Sequence, residues 1–344
     1  MRRLGAILLF ILLGILVFGG IFYYADVRHE QKKEEVLPNL RITIYTDLPQ
    51  GAVQIFDEPF YKETGIHLTV QELSRQQLMV QLKNGHRPDL YLVSQDTLHE
   101  LTAKEILQPY TSDKTDTVLN DFKDEAGFWT GLWVNPTVFA VNTEFADLHP
   151  AFSYKWDEVM HRQSVRLVMT DFIASMDAED GLMSMVEYYG TEQAMERLRS
   201  ASTHIVQYGK YLSTPSHMAA MDKCDIGISG YNEARRVQKE GLPIRILYPQ
   251  DGTYFYLYGI GLDKNSQEGE KARRFIDWIL SSEEREVLLN KANYYYIYVN
   301  DTRMPEDDAK MKLIFWPLAK QYTPEGKKVL LDQWIQTIRF GKEK

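Results

Sequence analysis

The feature that most constrains the fold is an alternation. From Leu40 onward, short runs rich in β-branched and aromatic residues ("RITIYT", "IHLTVQEL", "DLYLVS") are separated by segments of helical period over residues 50–63 and 75–83. Strands that alternate with helices imply an α/β chain with a mostly parallel, doubly wound sheet. "GLWVNPTVFAVNTE" interrupts the pattern with a longer β-rich run broken at Asn135–Pro136. A second series follows: a helix over 156–161, "VRLVMT", helices over 175–189, 192–201 and 215–223, "DIGIS", a helix to Glu240, and "IRILYP". A third β-rich passage, "GTYFYLYGIGLD", precedes helices over 268–280 and 282–291. Two similar α/β units are therefore expected.

A chain of 344 residues with 44% hydrophobic and 25% charged residues is long enough for two domains with substantial cores. Its net charge of -9, with no dense basic stripe, argues against a nucleic acid partner. Residues 4–25 carry no charge, follow Arg2 and Arg3, and are numerous enough to cross a bilayer. The flanking arginines favour a cytoplasmic amino terminus and an exported remainder. "FGGIFYYADV" offers no small-x-small cleavage site, which points to an uncleaved transmembrane anchor, with residues 26–39 as a polar linker. Cys224, the single cysteine, is far from this segment, so neither a lipid-modified amino terminus nor an internal disulfide is expected.

The order of several local strings resembles the bacterial extracellular solute-binding proteins of ABC transporters, of the iron and phosphonate type. "ITIYTDLPQGAVQIFDEPFYKETGIHLTV" resembles that family's opening, and "GLWVNPTVFAVNT", "DIGISGYNEARRVQKEG", "ILYPQDGTYFYLYGIGL" and "ARRFIDWILSSEEREVL" match later landmarks in the same order. The resemblance covers residues 41–300. It implies a two-lobe type 2 periplasmic binding protein fold with two crossing hinge strands, preceded here by one transmembrane helix. Lobe 1 would combine 40–134 with 252–300, lobe 2 would be 135–251, and residues 301–344 would pack on the lobes. The implied partners are a small solute and ABC permease subunits, and the implied place is the bacterial cell envelope, outside the cytoplasm. A ligand sensor that signals to a membrane sensor kinase is the alternative.

In open parallel sheets ligands bind beyond the carboxyl ends of the strands, where the next helices present their amino termini. In the first unit that selects Thr46 and Asp47 in "TDLP", Ser74 and Arg75 in "LSRQQ", and Ser94 in "VSQDT". In the second it selects Asp171 and Ser175 in "TDFIAS", Thr214 in "LSTPS", and Ser229, Gly230 and Tyr231 in "ISGYN", while Tyr254 is an aromatic wall near a crossing. Each residue also has an ordinary use as a helix cap. Several helix amino termini in one cleft would suit an anion, so a phosphonate, phosphate ester or carboxylate is expected. Arg75 could add a bidentate grip.

Ferric ion is the family's alternative ligand. Iron members carry adjacent tyrosines where this chain has Tyr231 and Asn232, and a histidine in the first turn where it has Asp47, so the resemblance weighs against iron. No G-x-S-x-G, H-E-x-x-H or P-loop is present, the histidines are scattered, and neither an enzyme nor a cofactor is expected.

Overall fold

The computed structural model describes residues 40–281, 284–299, 313–317 and 322–341. The expected anchor and linker lie outside them. Among the described residues no helix is long and apolar enough to cross a membrane.

Among the described residues eleven strands form one continuous array: β1 (Arg41–Thr46), β2 (His67–Glu72), β3 (Leu90–Ser94), β4 (Leu107–Gln108), β5 (Trp129–Asn142), β6 (Leu167–Thr170), β7 (Ile205–Gly209), β8 (Ile226–Gly230), β9 (Ile244–Leu247), β10 (Phe255–Asp263) and β11 (Ile297–Tyr298). The main path runs β2-β1-β3-β10-β5-β8-β6-β7. In the first half β1, β2 and β3 are parallel, and β10 enters antiparallel between β3 and β5. In the second half β6 is parallel to β7 and β8, and β5 takes the antiparallel place between β8 and β9. Each half is thus a lobe with the same local order.

Strand β5 belongs to both lobes. Its residues from Trp129 to Pro136 pair with β10, and those from Thr137 to Val141 pair with β8. The break expected at Asn135–Pro136 is instead the point where one continuous strand changes sheets. Pro136 has no N–H to give to a ladder, so the changeover is a position where its cost is small. All 14 residues of β5 are buried, as expected for a strand covered on both faces. A second passage between lobes precedes β10. Thr137 N–H donates to the Tyr254 carbonyl at 2.9 Å, and Thr253 Oγ1 donates to the Thr137 carbonyl at 2.9 Å, tying the two crossings together.

Six helices matter below: α1 (Arg75–Lys83), α2 (Gln95–Ala103), α3 (Met176–Tyr189), α4 (Thr214–Ala220), α5 (Tyr231–Lys239) and α6 (Pro324–Trp334). α1 has the bounds that its period predicts. The helix expected over 50–63 is divided into Gln50–Gln54 and Asp57–Thr64, which lets Phe56 and Phe60 turn inward onto Trp278. The helix expected to reach Lys223 stops at Ala220, before Asp222 takes a left-handed φ of 53°. α6 belongs to the lobe 2 core: Trp334 and Ile338 are buried there with Phe172 and Trp156.

Candidate functional site

The carboxyl ends of β1 and β3 meet at one acid. The Asp47 carboxylate accepts from Ser94 N–H at 2.9 Å, Ser94 Oγ at 2.6 Å and Thr97 Oγ1 at 3.0 Å. Burial raises its pKa, against the lowering effect of these donors. Thr46 is fully buried, and its hydroxyl accepts from Leu48 N–H at 3.1 Å. Ser74 closes a capping box with Gln77. Arg75 is held by carboxylates, Glu100 at 2.7 Å and Asp96 at 3.6 Å. The expectation that Arg75 grips an anion is therefore corrected: its guanidinium is already paired.

In lobe 2, Ser175 caps α3, and Thr214 lies against Gly209 with its Oγ1 accepting from Tyr211 N–H at 3.4 Å. Asp171 accepts from Ile173 N–H at 3.2 Å and from Arg339 Nε at 2.9 Å. Ser229 Oγ accepts from Ser216 Oγ at 2.6 Å. The "GYN" turn needs no ligand to complete it. Asn135, on β5, caps α5 by accepting from Asn232 N–H at 2.9 Å and donating to Glu233 at 3.1 Å. Asn232 in turn accepts from Tyr295 N–H at 2.8 Å. Tyr231 stacks on Tyr248 with centroids 6.1 Å apart and lines a different cavity with Arg235 and Tyr295. Its expected position in the cleft is corrected, because the first side chain of α5 packs toward β9 rather than into the opening.

The cleft between the lobes is lined by Ser94, Asp96, His99, Asp177, Asp180, Tyr254, Tyr256 and Lys327, among others. A smaller continuation on the lobe 2 side is lined by Ser229, Gly230, Tyr254 and Tyr256. Of the residues singled out in the sequence, Ser94, Ser229, Gly230 and Tyr254 come together here. Tyr256 joins Tyr254 as an aromatic wall near a crossing, while Asp96, Asp177, Asp180 and Lys327 were missed. A signal for two of these acids was present: Asp96 and Asp177 each stand in the first turn of a helix that follows a cleft-facing turn.

The two walls touch. Tyr258 of β10 donates to Asp177 of α3 at 3.1 Å, and the Lys327 ammonium of α6 is hydrogen-bonded to both Asp96 of lobe 1 and Asp180 of lobe 2. Burial, then Asp47 and Glu233, push the Asp177 carboxyl up to about 7. Asp180 is also raised, by burial and by Asp96, with Lys327 opposing. Burial lowers Lys327, but Asp180 and Asp96 outweigh it and the net shift is upward. Burial lowers His99 and raises Tyr254, Tyr256 and Tyr258. Among the described residues no group of three or more His, Cys, Asp or Glu side chains is arranged to hold a metal ion.

Residues 42–292 match the family model described as "Bacterial extracellular solute-binding protein". The chain belongs to this family. This solute-binding protein is 25% identical over 248 residues to an uncharacterized protein of Haemophilus influenzae, covering 69% of this chain and 72% of the other. Its fold is similar to that of the periplasmic binding protein AfuA of Actinobacillus pleuropneumoniae with fructose-6-phosphate bound (TM-score 0.69, 20% identity, 88% of this chain and 99% of that one). It is also similar to iron-bound HitA of Pseudomonas aeruginosa (TM-score 0.72, 16% identity, 86% and 99%). The solute-binding protein thus has a two-lobe fold and belongs to a family of extracellular solute-binding proteins of ABC transport.

Proposed function

We propose that this chain captures a small cationic solute of the amine class between its lobes and delivers it to an ABC permease, held at the membrane by residues 4–25. One observation carries the reading. The helices that begin at the cleft already hold a carboxylate in their first turn (Asp96, Asp177, Glu233), so the positive potential an anion would seek is offset from within. Asp47 adds to this field, and Arg75 is paired. A bound cation would relieve the carboxylate repulsion that adds to burial in raising Asp177, and Tyr254 and Tyr256 offer ring faces or hydroxyls to it. An anion keeps one specific support: α4 has no acid in its first turn and starts beside Ser229.

A thermal-shift screen of the 40–344 fragment tests this. Polyamines and other primary amines should raise the melting temperature by mass action. A rise with phosphonates, phosphate esters or carboxylates alone would overturn the cationic reading, and a rise with ferric ion alone would restore iron. Co-purification from native membranes should recover permease subunits; a sensor kinase in their place would replace delivery by signalling.

A further inference from the structure

The carboxy-terminal segment is moored to one lobe and reaches the other. On lobe 2, Trp334 meets Phe172 edge-on with centroids 5.0 Å apart and Tyr208 at 5.8 Å. Arg339 lies 4.3 Å over the Tyr208 ring while its Nε donates to Asp171, and Tyr322 donates to Glu187 at 3.2 Å. These contacts fix α6 as part of the lobe 2 surface. One turn into α6, Lys327 enters the cleft, 11% of its side chain exposed, and joins Asp180 on its own lobe to Asp96 across the gap. The cavity left around it is about 50 Å³, room for a few waters but not for an organic solute.

We propose that Lys327 is an internal occupant of the cleft: α6 carries an alkylammonium group into the space between Asp96 and Asp180, pins the lobes closed in the absence of solute, and must be displaced for solute to enter. A lysine stem is a tethered primary amine, so it meets both carboxylates without the loss of translational freedom that a free amine suffers. The proposal concerns the closed state and stands apart from the sign of the solute. If the solute is an amine, as read above, Lys327 and the solute compete for the same two acids.

Spin labels on Val80→Cys and Leu148→Cys, exposed positions on lobes 1 and 2, report the lobe separation by double electron-electron resonance. With no solute, the otherwise wild-type protein should show one short distance, Lys327→Met should shift to longer distances, and Lys327→Arg should stay short. Asp96→Asn, which weakens the Lys327 tie to lobe 1 and leaves Arg75 its closer partner Glu100, should also lengthen the distance and serves if Lys327→Met does not fold. A distance unchanged in both Lys327→Met and Asp96→Asn, or a wild-type protein already open, overturns the proposal. Lys327→Met should bind amines at least about tenfold more tightly, since the competent state is no longer a minor one. If Lys327→Met opens the cleft and neither protein binds an amine, the internal occupant stands and the cationic reading falls.

Discussion

Asp177 has the most distinctive chemistry of any side chain in the cleft, because burial and the carboxylates of Asp47 and Glu233 act on it in the same direction. Its folded pKa of about 7 lies above the ordinary aspartate value of 3.8, so over that window the folded chain keeps a proton that the unfolded chain has released. Stability should therefore fall as pH rises from about 4 through about 7, and Asp177→Asn should flatten this part of the melting-temperature profile. Asp47 acts on the structure of lobe 1. Asp47→Ala would leave Ser94 N–H, Ser94 Oγ and Thr97 Oγ1 without their acceptor, and denaturant unfolding should show a loss of about 2 kcal/mol. The places of Asp47 and Ser94 were legible in the sequence, because one directly follows a strand, the other ends one, and a helix comes next. Tyr231 follows a strand too, but as the first residue of α5 its direction is set by packing on Tyr248, which no local pattern records. Lys327 was not legible at all: its partners Asp96 and Asp180 are remote in sequence and on different lobes.

The elements themselves were largely legible, since β-branched runs and helical periods are local signals and α1 matches its expected bounds. What the pattern could not supply was contact between elements. Asn135 read as the start of a break, whereas in the fold it caps α5 from a neighbouring strand, replacing a side-chain cap that Gly230 cannot give. Gly227 shows a similar dependence. A Cβ there would meet the Pro215 carbonyl oxygen at 2.3 Å, so α4 can lie on β8 only because this residue has no side chain. Both atoms are backbone or its direct substituent, and neither can rotate away. Gly227→Ala should destabilise lobe 2 by about 1–3 kcal/mol, visible as an earlier urea midpoint with an unchanged slope.

At the scale of the whole molecule, motion must respect β5 and the Thr137–Thr253 junction, where both crossings are hydrogen-bonded together. Opening should therefore turn one lobe against the other with this junction as the pivot. Hydrogen exchange measured on wild type and Lys327→Met should find the amides of β5 equally protected, while α2 and the first turn of α3 exchange faster in the variant. Faster exchange throughout β5 would mean that the lobes come apart rather than swing. The same wiring governs how the chain is built. β10 lies between β3 and β5 in lobe 1, yet the ribosome makes it only after every strand of lobe 2. Until it arrives, β3 presents an open edge and lobe 1 cannot close its sheet. Pairs such as Ser94 with Tyr258 give the fold a high contact order, so collapse should be slow. That delay leaves a sticky intermediate in need of protection until β10 closes the sheet.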